Sequence, residues 1–490
     1  MENENKDNMN KKVISATKWS SITQITMRLI SPLTSMLLAR LLVPEAFGVV
    51  ATVTMVISFA EKFSGIGFQK YLIQYEFPSK KRLYLSANVA FLTNLFISVF
   101  LWIFIFIFNR QIASLLGNPD IGNVIIVSTL QLPLTSFSSV QIALLSREFD
   151  FKTLFIVRMF SVFVPFFITI PLALLGFDYW SLIIGSLSAH FINAILLTIK
   201  SDWKFKFIYK LELLKKMLSF SIWSLTEGIS IWLTSWIDVF IVGSILSTYY
   251  LGLYQTSIKM VAALMTLITA TVAPVLFPAL SRLQDDDTKF NKVLLRAQKL
   301  VSILVLPLGA GIWLYRDLAT YILLGDQWID AANIIGVWAL TSGVAIVFGK
   351  TSSEAFRAKG LPKISFLAQV LHLIFLIPVI LISVRFGFWT LVYWRAGIRL
   401  QAVFVKLFLM KIFMKIPISK MFKNIFPAFF STVCMIVINW SLRWFNGSIW
   451  WDFAGILISI LVYILILSIF PDARKELKFL LNLLVKKKFF

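Results

Sequence analysis

Seven cations and four anions sit inside otherwise apolar stretches of this sequence: Arg28, Lys62, Arg158, Lys259, Lys350, Arg395 and Arg399 against Glu61, Glu227, Asp238 and Glu354. An ionisable side chain in the middle of a bilayer costs about 2.5 to 3.5 kcal/mol on insertion scales, so it faces a cavity or a partner. The excess of positive charge in low dielectric attracts an anion, and the planar arginine fork matches phosphate oxygens. Arg28, Lys62, Lys259, Arg395 and Arg399 are therefore the candidate substrate-binding cations. Glu227 and Asp238 are either structural partners of those cations or a site for a coupling proton or sodium ion.

Spacing sorts the remaining polar residues. Ser20, Gln24, Arg28, Ser31 and Ser35 recur at steps of three and four on one helix, which puts them on one face. Glu227, Ser230, Thr234 and Asp238 do the same on another. Each stripe is expected to line a cavity. Lys350 and Glu354, four apart, suit an internal ion pair. Arg158 lies close enough to a helix end to reach the headgroups. His190 and His372, single histidines in apolar helices, read as packed and hydrogen-bonded groups.

The elements that must position these residues follow from composition. The chain has 490 residues, 58% hydrophobic and 14% charged, against about 25% charged in an ordinary soluble protein. A single soluble domain is excluded. A membrane-spanning helix needs about 20 apolar residues. Runs of that length predict fourteen spans, near 18–42, 47–72, 83–108, 121–146, 153–175, 180–199, 217–244, 249–281, 291–314, 331–356, 363–384, 388–409, 424–443 and 448–470. Phe100 to Phe108 and Ile456 to Phe470 are apolar all round and suit lipid contact. Of the 47 basic residues, about 35 fall on the side of the termini, about five opposite and seven within helices. Cytoplasmic loops collect Lys and Arg, so both termini are expected in the cytoplasm. The formal charge of +23 then answers to anionic headgroups rather than to nucleic acid. From the polar first dozen residues and the long first apolar segment, no cleavable signal peptide is expected.

The sequence matches itself at a shift of 204 residues. Ser15/Ser219, Trp19/Trp223, Leu42/Leu246, Gly48/Gly252 and Thr52/Thr256 are among the identities, about one position in five over 40. Further on, Leu116-Gly117 answers Leu324-Gly325, Arg147 answers Arg357, and Gly176-Phe177 answers Gly387-Phe388. The fold class expected is an all-α polytopic membrane protein of fourteen helices, with two six-helix lobes as parallel repeats around a central cavity and two C-terminal helices. The domains expected are an N-lobe at 1–199, a basic linker at 200–216, a C-lobe at 217–410, and two further helices with a basic tail at 411–490.

Catalytic motifs fail. Gly343 to Thr351 resembles a phosphate loop, but five residues separate its glycines and it lies inside an apolar stretch. Asp285-Asp286-Asp287 reads as a solvated loop. The sequence holds no HExxH, no GxSxG and a single cysteine, Cys434, so no catalytic residue, metal or cofactor is expected beyond a coupling proton or sodium ion.

The segments Leu37 to Val53 (LLARLLVPEAFGVVATV), Ser64 to Gln74 (SGIGFQKYLIQ) and Ile245 to Gln255 (ILSTYYLGLYQ), with the Arg147 and Arg357 loops and a 6 + 6 + 2 plan, resemble polysaccharide exporters of the Wzx type. These are flippases in the multidrug/oligosaccharidyl-lipid/polysaccharide superfamily. The resemblance implies translocation of an undecaprenyl-pyrophosphate-linked oligosaccharide across a bacterial inner membrane for O-antigen, capsule or exopolysaccharide assembly, next to a polysaccharide polymerase. It also implies a cationic cavity, where Arg28, Lys62 and Lys259 would stand. Three rivals remain at this stage: a drug or metabolite antiporter, a lipid II flippase, and a membrane glycosyltransferase or polymerase. The last would need catalytic acids on a large outer loop, and the longest outer loop expected is short, about 315–330.

Overall fold

In the computed structural model, residues 2–64, 67–269, 273–442 and 449–485 are described, and every regular element among them is helical. Two compact units divide the chain at Gly252. The first holds α1 (Glu2–Leu41), α2 (Pro44–Ser64), α3 (Phe68–Gln74), α4 (Lys80–Ile107), α5 (Asn109–Leu115), α6 (Gly122–Thr129), α7 (Gln131–Arg147), α8 (Phe151–Leu174), α9 (Asp178–Lys200), α10 (Leu211–Ile245) and the start of α11 (Thr248–Thr269). The second holds the rest of α11, then α12 (Ala273–Ser281), α13 (Asp287–Leu314), α14 (Arg316–Leu323), α15 (Ala332–Val344), α16 (Thr351–Ala358), α17 (Pro362–Ser383), α18 (Phe388–Met414), α19 (Ile418–Leu442), α20 (Ile449–Ile469) and α21 (Pro471–Val485).

Twelve stretches among the described residues are long and apolar enough to cross a membrane. The expected spans 18–42 and 388–409 are helical too, within α1 and α18, and are the ones that carry a polar stripe and the paired arginines. The expected span 121–146 is built in two pieces, α6 and α7, while 47–72 covers α2 and α3 and 249–281 covers α11 and α12, with residues 65–66 and 270–272 outside the described ones. A π-helical turn, Ala345–Lys350, joins α15 to α16. Local chemistry sets the boundaries. Gly67 adopts φ +60°, a left-handed conformation that glycine reaches without a Cβ penalty, where α3 begins. Ser79 and Asp150 cap α4 and α8 by accepting the backbone N–H of Arg82 and Thr153. Asp286 caps α13 at 3.0 Å from the Lys289 N–H, and that bond holds its carboxyl below the usual aspartate range.

Large apolar side chains face outward along the spans, as a chain solvated by lipid requires: Phe96, Phe100 and Phe104 on α4, Leu457, Leu461 and Leu465 on α20. Lipid tails are as apolar as leucine, so close packing and polar contacts between helices do much of the cohesion. In unit 1 the Pro44 carbonyl would lie 1.8 Å from a Cβ on Gly252, and the Thr248 carbonyl 2.0 Å from one on Gly48. Both contacts need glycine, and they exchange under the shift of 204. The basic stretch after α9 is tied down in the same unit, since the Trp203 indole N–H donates to Asn88 Oδ1 at 3.1 Å and the Lys206 N–H to the same oxygen at 3.2 Å.

A cation fastens a loop in each unit. Arg147 Nη1, at the end of α7, donates to the Leu72, Ile73 and Tyr75 carbonyls at 3.0, 3.1 and 2.7 Å, with the guanidinium over the Phe77 ring. In unit 2 Lys359, just past α16, binds the Gln284 carbonyl and Asp287 and lies over Phe290. The last helices belong to unit 2: Asn439 of α19 donates to the Tyr315 hydroxyl and the Gly455 carbonyl, Tyr463 of α20 donates to the Ile303 carbonyl, and Glu476 of α21 pairs with Arg296 at 2.9 Å.

Candidate functional site

The cations of α18 form the most built-up cluster in unit 2. Arg395 and Arg399, one turn apart, both lie over the ring of Trp338 on α15, at 5.5 and 4.3 Å from its centroid. Trp338 is buried and meets the buried Tyr254 edge-on at 6.0 Å. Arg399 Nη1 donates to the Trp338 carbonyl and to Thr341 Oγ1, each at 3.2 Å. A cation over a desolvated indole gains about 2 kcal/mol, which helps hold two like charges together. The Nε and Nη2 edge of Arg399 has no hydrogen-bond acceptor among the described residues, so a planar pair of donors is left for an anion. Next to it on α18, Gln401 Oε1 lies 3.0 Å from His372 Nδ1, the packed arrangement expected for that histidine. One and a half turns further, Lys406 reaches the Gly349 carbonyl at 3.4 Å.

The other candidate cations are distributed. Lys259 is exposed on α11, between the buried Ser257 and Met260. Arg28, half-buried on α1, has neither a hydrogen bond nor an ion pair among the described residues. Half-buried Lys62 runs its methylenes along Gly228 of α10, where an added Cβ would stand 3.6 Å away. On the α1 stripe Gln24 and Ser31 are exposed, with Ser20 and Ser35 half-buried. On α10 Ser230 and Thr234 are half-buried, whereas Asp238 is buried and accepts the Val239 N–H at 2.9 Å. The Glu227 side chain lies outside the described residues. Glu354 forms an ion pair with Arg357, three residues on, a spacing that brings the guanidinium back over the carboxylate one turn below. Lys350 and Glu354 share the lining of a small cavity of about 20 Å³.

Sequence reasoning missed one arrangement. Glu61 on α2 accepts a hydrogen bond from Gln131 Nε2 at 3.1 Å and lines two polar cavities in unit 1, of about 210 and 150 Å³. His190 lines the larger one. The available signal was the polar run Thr135 to Ser139 in an otherwise apolar span. Trp338 and Thr341, which orient Arg399, were missed because apolar and hydroxyl residues in a span carry no charge signal.

Helices of this number and composition, with arginines seated inside them, define an all-α polytopic membrane protein. The fold is similar to that of a solved lipid II flippase, MurJ, in an inward closed conformation, at TM-score 0.76 and 18% identity over 92% of this chain and 98% of that one. Residues 37–333 match the family described as "Polysaccharide biosynthesis protein", and the chain belongs to that family. It is similar to the succinoglycan biosynthesis transport protein ExoT of Rhizobium meliloti (strain 1021), 25% identical over 308 residues, 63% of this chain and 62% of that one. It is also similar to the lipopolysaccharide biosynthesis protein WzxC of Escherichia coli (strain K12), 22% identical over 76% of each. The matched part thus spans under two thirds of the first of these relatives.

Proposed function

We propose that this chain is a flippase that carries a polyprenyl-pyrophosphate-linked oligosaccharide from the cytoplasmic to the outer leaflet of a bacterial inner membrane, by alternating exposure of a cationic site. The observation that carries this reading is the Nε and Nη2 edge of Arg399, left without an acceptor among the described residues where Arg399 sits with Arg395 on Trp338, in a polysaccharide-biosynthesis protein. Arg28 and Lys62 in the first unit and Lys259 in the second are the further cations of this reading, and Ser20, Gln24, Ser31, Ser35, Ser230 and Thr234 supply hydroxyl and amide groups suited to sugars. An inside-negative potential favours export of the anion by about 2.3 kcal/mol per charge per 100 mV. Coupling to a proton or sodium ion would run through Glu227 or Asp238.

In the same reading both termini are cytoplasmic, α1 and α18 complete fourteen spans, and the chain is a duplicated six-span unit with two added spans. The reciprocal contacts of Gly48 and Gly252 support the duplication. A polysaccharide polymerase downstream consumes the flipped substrate. Deleting the gene tests the proposal: cells should accumulate lipid-linked oligosaccharide on the cytoplasmic leaflet and lose surface polymer. Drug sensitivity with normal polymer would instead identify an antiporter, and loss of cell-wall synthesis a lipid II carrier.

A further inference from the structure

Between α9 and α10 the chain from Asp202 to Lys210 forms no helix and reads DWKFKFIYK, lysines interleaved with aromatic residues. Unit 1 fixes this strap at several points. Trp203 is buried with its indole bonded to Asn88 of α4, and the Phe205 ring packs on Phe91 at 4.8 Å. Lys204 Nζ donates to the Thr198 carbonyl near the end of α9 at 2.7 Å, and the Tyr209 hydroxyl lies 3.1 Å from Thr93 Oγ1.

What the strap leaves outward is apolar and basic. Phe207 is 89% exposed, its ring edge-on to Phe205 at 4.6 Å, and Ile208, Tyr209 and Leu211 are exposed beside it. Lys206, Lys210 and Lys215 are exposed and form no ion pair among the described residues, while the neighbouring Glu212 pairs with Lys216 at 3.2 Å and Arg82 at 3.7 Å. Leu211 and Lys215, one turn apart, carry the same pairing of apolar and basic groups onto the start of α10.

The contacts with α4 set the depth. Counting about 20 residues of helix back from Ile107, the end of α4, puts the near edge of the hydrocarbon close to Asn88. Asn88 and Thr93 therefore hold the strap at that edge. Thr93, Phe96, Phe100 and Phe104 follow at steps of three and four, so Tyr209 meets the foot of the outward-facing stripe of α4. Non-helical backbone cannot lie bare in hydrocarbon, where its N–H and C=O groups would find no partner. Among the headgroups those groups are solvated, and aromatic rings and lysine stems suit that layer.

We propose that residues 203–215 form a docking surface for anionic phospholipid headgroups, with Phe207, Ile208 and Leu211 entering the acyl boundary and Lys206, Lys210 and Lys215 pairing with lipid phosphates. Charge complementarity selects this occupant. Three cations without ion-pair partners, set among apolar tips at the hydrocarbon edge, match a layer that is negative above and apolar beneath, whereas an acidic soluble partner would meet the lysines and leave the tips uncovered. Neither the flippase reading nor the sidedness of the chain enters the argument.

The test uses the purified full-length chain in phosphatidylcholine bilayers, with a fluorophore on Phe207→Cys and the one native cysteine removed by Cys434→Ser. Quenching is followed as phosphatidylglycerol or phosphatidylcholine bearing a nitroxide high on one acyl chain is titrated in. A lysine near an anionic surface contributes about fivefold in affinity. Phosphatidylglycerol should therefore quench with an apparent affinity at least about fivefold above phosphatidylcholine. Lys206→Gln/Lys210→Gln/Lys215→Gln should remove that preference, and 1 M salt should weaken it in the unsubstituted strap without any change of sequence. Equal quenching by the two lipids, or a preference that survives the triple substitution, overturns the proposal. So does the absence of quenching by either, which would place position 207 in water and leave the surface to a soluble partner.

Discussion

Replacing Arg399 separates anion binding from mere packing. Its Nη1 is occupied by the Trp338 carbonyl and Thr341 Oγ1, both at 3.2 Å, and its ring contact is 4.3 Å. The remaining Nε and Nη2 donors are what a pyrophosphate would take. A hydrogen bond to a charged partner contributes about 1.5 to 3 kcal/mol, so Arg399→Ala should weaken binding of a short-chain prenyl pyrophosphate roughly 10- to 150-fold. Arg399→Lys keeps the charge and loses the planar fork, and a loss of about tenfold is expected, one well-oriented bond at about 1.4 kcal/mol. Thr341→Val is the control: it deletes one neutral acceptor, lowers stability by about 0.5 to 1.5 kcal/mol and should leave affinity within about threefold. The assay is titration of the purified chain by microscale thermophoresis, with the thermal midpoint of each variant measured in parallel. Unchanged affinity in R399A, or an equal loss in T341V, would refute the argument.

Gly252→Ala brings a methyl to 1.8 Å from the Pro44 carbonyl, and overpacking of this kind costs about 1 to 3 kcal/mol, read as a lower thermal midpoint. Gly311→Ala on α13, with nothing within 4 Å of the added carbon, should hold the midpoint or raise it. Arg147→Met removes three carbonyl contacts at 2.7 to 3.1 Å in a partly exposed setting, about 2 kcal/mol after screening, and should expose the 75–79 loop to protease. Arg147→Lys should restore part of that protection.

Much of the architecture was legible because lipid imposes one strong rule, a long apolar helix for each crossing, and the runs from 83–108 and 363–384 read directly as α4 and α17. The interruptions were not legible. Gly67, left-handed at the start of α3, lies within an apolar run that a hydropathy window reads as continuous, since the window averages over it. The arginines of α18 were visible as charges, and their partner Trp338 was not, because a buried indole looks like any other apolar residue. Glu61 was noticed as an intramembrane acid, yet its hydrogen-bond partner Gln131 lies 70 residues away in sequence, and such convergence has no local signature. Glu354 shows the opposite limit: Lys350 and Arg357 are both within its reach by helical spacing, and the pair with Arg357 is visible only in side-chain geometry.

A flippase of the kind proposed moves a phosphorylated lipid headgroup across a bilayer, and Arg395 and Arg399 would carry that step. Proteoliposomes holding the purified chain, loaded with a fluorescent polyprenyl-pyrophosphate oligosaccharide and treated with an impermeant quencher, measure that movement directly. Loss of fluorescence beyond the outer-leaflet fraction is expected with the wild-type chain and should disappear with Arg395→Ala/Arg399→Ala. Flipping by that double variant at the wild-type rate, or none by the wild-type chain with an imposed inside-negative potential and sodium gradient, would contradict the account.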